Sequence, residues 1–449
     1  MSATVALSTP KTQAEEKHKS SFAFKAVMAI SVLYYARPED VIPGLNVIPM
    51  VKIAGILALV ALIFGMREQR VVKKIPVENK LHLLLFGQMV FSIPFAYWRM
   101  GAFNTVFFRA TKGVIVMLLV ALLVTSFREL KRLFWIQAAS MSFMTMASIA
   151  QHNRNARMTG ALGGVFENPN DLAINIALNW PLCFAFFLNA DKAWKKAFWL
   201  GSMMIMIIGV VLTYSRSGFL AMGLCALISL YQFSVKGKRL HLIALAVLAA
   251  VFLAGAAPMF GLYPQIWLTR MESSVMGNID NSYDRGSKEA RTELLRLSLQ
   301  EMATHPLTGV GPGNFQIFGD WHVAHNTYSE MGAEAGVPAL IIFVAILGCA
   351  FWNLRRTAKS EEFKKNSETR LFSGAMLASL GAYLVGAAFS STQYELFPYF
   401  MVAYTTVLYH MSCVFPDHGK SEAAATTPEQ GNAAAKELRR SRQAAWLRD

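Results

Sequence analysis

Charged residues are scarce in this chain, and those present are gathered in clusters. Asp, Glu, Lys and Arg make up 16% of its 449 residues, against about 25% in a typical soluble domain. Hydrophobic residues make up 54%, and the mean hydropathy is +0.36. Between the charged clusters lie apolar runs of about 20 residues, the length of a bilayer-spanning helix. A soluble globular domain is therefore excluded, and we expect an all-α polytopic membrane protein.

Two features common in small secreted proteins are also missing. The four cysteines lie in apolar runs without a Cys-x-x-Cys pair, which disfavours a disulfide framework and indicates small buried side chains: Cys183, Cys225, Cys349 and Cys413. No cleavable signal is evident, because residues 1–20 are polar and no small-residue cleavage site follows the first apolar run. That run is expected to remain as a membrane anchor.

The apolar runs predict about twelve transmembrane helices. They lie near residues 22–36, 45–65, 81–97, 110–126, 133–150, 171–190, 197–215, 217–234, 240–257, 336–353, 371–390 and 396–414. An even number of spans puts both termini on one side of the membrane. We expect a cytoplasmic N-terminal segment (1–21), nine spans within 22–257, a long periplasmic loop (258–330), three spans within 331–414 and a cytoplasmic tail (415–449).

Positive charge gives the orientation of these spans. With both termini inside, and counting Lys25, the cytoplasmic segments hold 30 of the 43 Lys and Arg residues: 1–21, 66–80, 127–132, 191–196, 235–239, 354–370 and 415–449. Asp and Glu divide 14 to 14, as expected when only positive charge sorts the loops. The net charge of +15 then suits anionic lipid headgroups, and no nucleic-acid partner is expected.

Two arginines on the outer side are candidates for binding an anion. Arg216 lies between two spans in the polar sequence LTYSRSGFL, against the positive-inside trend, so a cavity-facing role is favoured over snorkelling. Arg291 lies on the apolar stripe of a predicted helix at 287–304, whereas Arg296 points elsewhere and should be solvated. Arg285, just upstream, can also reach an anionic ligand.

Three further segments of the outer side carry polar residues. HPLTGVGPGNF, with Gly311 and Gly313, forms either a plain turn or a loop whose N–H groups face an anion. His325 and Asn326 follow it and precede a span, and a lone histidine is more often a satisfied polar residue than a catalyst. Asn168 and Asn170 open another span, where capping explains much of the pattern.

These motifs, in this order, resemble the O-antigen ligase and polymerase family of bacterial envelope proteins. The matching segments are GVFENPNDLA, LTYSRSGFLA, the Arg291 helix running into HPLTGVGPGNF, and HNTYSEMGAEAGVPAL. The resemblance covers roughly residues 110–400. It implies a helical fold of the C-type glycosyltransferase kind. It also implies that the protein takes a glycan from undecaprenyl diphosphate in the outer leaflet of the inner membrane. The acceptor hydroxyl belongs to lipid A core, to another glycan or to a protein.

The resemblance also implies roles for single residues. Arg216 and Arg291 correspond to the family's diphosphate-binding arginines, with Arg285 as the alternative to Arg291, and His325 corresponds to its catalytic histidine. The other candidates for substrate binding are Asn168, Asn170, Asn326, Gly311 and Gly313. No cofactor is expected, and no metal if the arginines replace the cation, although Glu167 and Asp171 leave a metal possible.

Several functions stay open at this point. An inverting, ligase-type transferase is preferred, and a polysaccharide polymerase or a protein O-oligosaccharyltransferase is the alternative. A secondary transporter is the competing class, but such proteins usually show repeat symmetry and midplane sites, and the two halves of this chain show no internal repeat. A structural scaffold is the third reading.

Overall fold

The computed structural model describes residues 22–36, 75–152, 157–160, 166–234 and 282–414, with isolated positions between 53 and 63. Within these ranges every regular element is helical and none is a strand. The predicted span at 240–257, most of that at 45–65, the tail after 414 and the outer loop before 282 lie outside the described residues.

The described helices are numbered here in chain order. They are α1 (Phe22–Tyr35), α2 (Val77–Ser92), α3 (Arg99–Leu123), α4 (Phe127–Ala150), α5 (Pro169–Asn189), α6 (Ala193–Leu212), α7 (Arg216–Ser234), α8 (Ser282–Thr304), α9 (Phe315–Phe318), α10 (Thr327–Lys359), α11 (Glu361–Lys365), α12 (Ser367–Gly386) and α13 (Phe397–Tyr409). Helix α8 contains the helix predicted at 287–304 and ends before Pro306, as expected from proline's missing N–H.

Among the described residues, seven helices are long and apolar enough to cross a membrane: α3, α4, α5, α6, α7, α10 and α12. The fold class is therefore confirmed as an all-α polytopic membrane protein. The shorter helices α1, α2 and α13 coincide with three further predicted spans. The total of twelve spans stays a prediction.

Helix α5 forms the centre of one group of helices. It packs against α4, α6, α7 and α12, and 83% of its most apolar window is buried, against 33% for its neighbour α6. Small residues let α5 and α7 approach closely, since a Cβ on Gly218 would lie 2.3 Å from the Cβ of Ala173. Small contact residues of this kind are typical of helix pairs in membranes.

Helix α10 bends at Gly336, which has φ 84° and is followed by Pro338. The groups that the bend frees find other partners. The carbonyl of Ala335 accepts a hydrogen bond from Gln88 Nε2 (3.0 Å), and the N–H of Val337 donates to the carbonyl of Pro306 (2.8 Å). Because these backbone groups have hydrogen-bond partners, the helix can break at membrane depth. The same bonds hold the loop after α8 against α10.

Hydrogen bonds identify the two ends of the bundle. At the end where α5, α7 and α10 begin, here called the upper end, Ser390 after α12 donates to Asp171 of α5. At the opposite, lower end, Glu368 of α12 accepts from Lys131 of α4 (2.6 Å) and from Asn189 at the end of α5 (3.0 Å). The chain thus runs in opposite directions in α5 and α12.

Candidate functional site

The upper end brings together segments that are far apart in the sequence. Besides the starts of α5, α7 and α10, it includes the polar segment between α12 and α13, here called the 390–395 loop. Thr327 at the start of α10 donates from its hydroxyl to the carbonyl of Ser390 (2.6 Å) and also contacts the hydroxyl of Thr392 (2.9 Å). Since Ser390 also bonds Asp171, this loop joins α5 to α10.

The two asparagines that begin α5 are held by the protein itself. The side chain of Asn168 caps the helix by accepting from the N–H of Asn170 (2.9 Å), as the sequence predicts. The Asn170 side-chain oxygen accepts from Arg157 (2.9 Å) and from the hydroxyl of Ser215 (2.8 Å). Asn170 therefore joins α5 to the turn that carries Arg216.

Arg216 begins α7, and its side chain is exposed. The turn before it is fixed, because the hydroxyl of Ser215 accepts from the N–H of Gly218 (3.1 Å) as well as donating to Asn170. Tyr214 has φ 50°, a strained backbone conformation for a tyrosine. The arginine is thus presented from a rigid turn at the upper end.

His325 and Arg291 come within electrostatic range of one another. The pKa of His325 is lowered to about 4, mainly by burial and also by the positive charge of Arg291 and by the nearby His322. The imidazole is therefore neutral near pH 7. Helix α8, which carries Arg291, is docked on α10 by a hydrogen bond from the hydroxyl of Ser298 to that of Ser329 (2.8 Å).

Two other basic side chains of α8 have different positions. Arg296 is exposed, as the helical spacing predicts. Arg285 belongs to α8, but its side chain lies outside the described residues. The choice between Arg285 and Arg291 as second arginine stays a prediction, and the electrostatic effect of Arg291 on His325 favours Arg291.

The glycine-rich loop, residues 305–315, packs tightly and donates hydrogen bonds to a carboxyl group of the protein itself. A Cβ on Gly311 would lie 2.3 Å from that of Ala96, and one on Gly313 would lie 2.3 Å from the Thr105 hydroxyl; both glycines have positive φ. The N–H groups of Gly313 and Phe315 hydrogen-bond the Glu334 carboxylate. Packing and a built-in carboxylate therefore account for both glycines. Asn326 likewise caps α10 through the N–H groups of Tyr328 and Ser329.

Two buried carboxylates on successive turns of α10 organise the loops of the upper end. Glu330 accepts from the N–H of Ala324 (2.8 Å), from the amide of Gln393 (2.8 Å) and from the hydroxyl of Ser391. Glu334 accepts from the hydroxyl of Tyr394 (2.6 Å) and from the glycine-rich loop. Buried carboxylates need such donors, so these two hold the surrounding loops in place.

Sequence reasoning did not single out Arg109 or the 390–395 loop. Arg109 lies in a π-helical turn within α3, where its guanidinium is 5.5 Å from the centre of the Tyr394 ring and 4.0 Å from a Glu395 oxygen. Such turns are frequent at functional sites. A signal was present, since Arg109 follows an apolar run on the predicted outer side, against the positive-inside trend. The loop, SSTQYE, is a polar sequence between two predicted spans.

Comparison with known proteins identifies one family. The family model described as O-antigen ligase matches residues 201–344, a range that contains Arg216, Arg291, Gly311, Gly313 and His325. Asn168 and Asn170 lie before it. No curated protein matches the chain. The match confirms the resemblance predicted from the motifs: residues 201–344 are similar to the O-antigen ligase family.

Proposed function

We propose that this protein transfers a glycan from undecaprenyl diphosphate to an acceptor hydroxyl, at the outer leaflet of the inner membrane. The family supports glycan transfer of the O-antigen ligase or polymerase type. The observation that carries the finer proposal is the electrostatic interaction of Arg291 with a neutral His325 at the upper end. The turn that carries Arg216 is fixed at the same end by the hydrogen bond from Ser215 to Asn170. In this proposal the upper end is periplasmic and both termini are cytoplasmic.

The arginines bind the leaving group. As the bond between sugar C1 and the diphosphate oxygen breaks, the bonding pair and a growing negative charge remain on the diphosphate. Guanidinium groups stay protonated and donate pairs of hydrogen bonds to phosphate oxygens. Hydrogen bonds to charged groups contribute about 1.5–3 kcal/mol each. Arg216 and Arg291 therefore stabilise the transition state more than the bound donor.

His325 accepts the proton of the acceptor hydroxyl. The acceptor oxygen attacks C1 from the face opposite the diphosphate, so the configuration at C1 inverts. The lowered pKa keeps the imidazole neutral and able to accept a proton. A bound diphosphate would offset the charge of Arg291, one cause of that low pKa, and so make the imidazole a stronger base during the reaction. A positioned base contributes typically ~10²–10⁴-fold.

The remaining candidates take supporting roles. Asn168, Asn170, Asn326, Gly311 and Gly313 shape the site through the contacts described above, and Arg285 is a further candidate contact for the donor. The proposed reaction uses the arginines where other transferases use a metal cation. A ligase-type acceptor is preferred because the matching family model describes O-antigen ligase. A growing polysaccharide and a protein side chain are the alternative acceptors.

Reconstitution tests this function. The purified protein in lipid vesicles is given a synthetic polyprenyl-diphosphate glycan and, in separate reactions, lipid A core, a glycan or a peptide as acceptor. We expect product from one acceptor class, and losses of at least about 100-fold for Arg291→Ala and for His325→Ala. Arg296→Ala is the matched control, because it removes an exposed arginine from the same helix and should keep full activity.

The same experiment separates the competing classes. A transporter would move solute across the vesicle membrane and form no new glycosidic bond. If the protein were a scaffold, neither Arg291→Ala nor His325→Ala would change glycan transfer. If Arg291→Ala and His325→Ala variants insert normally and retain full transfer, the enzymatic proposal is wrong.

A further inference from the structure

His325 has an unusual backbone conformation that the protein must hold in place. Its φ is 54°, in the left-handed region where residues other than glycine are uncommon. Such a conformation is strained and persists only when its surroundings fix it. Asn326, on one side, is fixed because its side chain caps α10. A second anchor is needed on the other side.

Glu330 supplies that second anchor. One of its carboxylate oxygens, Oε2, accepts from the N–H of Ala324 (2.8 Å), the residue directly before His325. Ser391 donates to the same oxygen, and Gln393 donates to the other (2.8 Å). The carboxylate is buried and is itself held from two directions. It therefore ties the peptide before His325 to α10 and to the 390–395 loop.

The imidazole depends on this backbone anchor. Within the described part of the chain, the buried Nδ1 atom of His325 has no hydrogen-bond partner. Many catalytic histidines are instead oriented by a carboxylate that accepts from this nitrogen. Here the backbone between Ala324 and Asn326 fixes the Cα–Cβ bond from which the ring projects.

We propose that Glu330 is a positioning residue for glycan transfer, which acts by fixing the Ala324 peptide and thereby aiming the His325 imidazole at the acceptor hydroxyl. This inference rests on the proposed function of His325. Glu330 positions the base, whereas the diphosphate is bound by arginines on α7 and α8. Losing Glu330 should therefore affect the chemical step more than donor binding.

Glu334 provides a matched control. It is also a buried glutamate, lies one turn further along α10, and is hydrogen-bonded by the protein. Its partners belong to the glycine-rich loop and to Tyr394, and the N–H groups that it accepts come from residues about ten positions before His325. A general loss of packing at the upper end should therefore appear in both variants, whereas misplacement of His325 should appear in one.

The test measures kcat and donor KM for Glu330→Ala, Glu330→Gln, Glu334→Ala and His325→Ala in the reconstituted assay, with thermal unfolding of each. We expect Glu330→Ala to lower kcat by about 10–100-fold with donor KM within about twofold. Glu330→Gln, which keeps an oxygen for Ala324, should recover most of kcat. Glu334→Ala should lower kcat by less than Glu330→Ala even where both lower the melting temperature equally.

The outcomes separate this inference from the proposed function. Full activity of His325→Ala overturns the proposed function itself. Loss of activity in His325→Ala together with a normal kcat in Glu330→Ala overturns only the role of Glu330. Equal losses of kcat in the two glutamate-to-alanine variants, without recovery by glutamine, would show that Glu330 serves stability alone.

Discussion

The upper and lower ends of the bundle use charged residues differently. At the upper end, Glu330 and Glu334 are buried, and each accepts hydrogen bonds from loops distant in sequence. At the lower end, the pair Lys364–Glu361 is exposed by 60% and 70% of its side-chain area, and the pair Lys131–Glu368 by 29% and 35%. Exposed pairs contribute at most about 1 kcal/mol.

The difference supports the proposal that the reaction takes place at the upper end. The lower end buries one carboxyl group, that of Glu78, which accepts a hydrogen bond from Asn353 within the helices, while its ion pairs stay exposed or partly exposed. The upper end pays a desolvation cost for buried carboxylates and holds strained residues such as Tyr214 and His325. Strain and buried polar groups cluster at functional sites, so the predictions below compare matched changes at the two ends.

The largest effect is expected from removing the His325 imidazole, and Lys131 at the lower end serves as the comparison. His325→Ala should lower the rate of glycan transfer by about 10²–10⁴-fold, because the acceptor proton loses its base. Lys131→Ala should leave the rate within about twofold. Initial rates in vesicles check both. A similar loss in the two variants would mean that the ends do not differ in function.

A glycine comparison tests the packing of the upper end. Gly313→Ala should lower the free energy of unfolding by roughly 1–3 kcal/mol, because the backbone has positive φ and the new Cβ would overlap the Thr105 hydroxyl. Gly348→Ala, in the lower part of α10 with open space around it, should be neutral or stabilising by up to about 1 kcal/mol. Thermal unfolding in detergent measures both, and equal melting temperatures would contradict the tight packing.

The pH dependence of transfer tests the environment of His325. Because its pKa is lowered to about 4 by burial, by Arg291 and by His322, the neutral form persists as the pH falls below 6.5. The acid limb of kcat/KM, which reports the free enzyme, should therefore lie near pH 4. Arg291→Gln should move this limb to higher pH. A limb at 6.5 in both proteins would show that the imidazole is solvated.

The smallest expected effect concerns the lower-end ion pair. Lys131→Met should lower the free energy of unfolding by no more than about 1 kcal/mol, because the Lys131–Glu368 pair is partly exposed. High salt should reduce the effect further. Unfolding of both proteins at low and high salt measures it. A loss of several kcal/mol would mean that the Lys131–Glu368 pair interacts as strongly as the buried carboxyl groups of Glu330 and Glu334 do with their partners.

Much of the fold follows from the sequence because hydropathy is a local property. The cap at Asn168, the solvated Arg296 and the end of α8 before Pro306 were all predicted from neighbouring residues. The helical turns before the span predicted at 336–353 were not, since the helix begins at Thr327 and bends at Gly336, where the predicted span starts. The first turns of α10 carry Glu330 and Glu334. A hydropathy scale does not include the hydrogen bonds from distant loops that offset the cost of burying these two side chains.

The site was predictable in part for the same reason. Arg216, Arg291 and His325 stand out as polar residues in short motifs. Glu330 accepts from Ala324, six residues away, but it is held by Ser391, 61 residues away. Ser390 bonds Asp171, 219 residues away, and Arg109 lies beside Tyr394 and Glu395. Such long-range hydrogen bonds leave no periodic pattern along the chain.

The central claim is that the upper end faces the periplasm. Single cysteines at Trp321, which is 71% exposed, and at Lys359 test it directly in cells that carry a variant without native cysteines. A membrane-impermeant maleimide should label the Trp321→Cys protein in intact cells and the Lys359→Cys protein only after the membrane is opened. The reverse pattern would put Arg216, Arg291 and His325 in the cytoplasm and contradict the account.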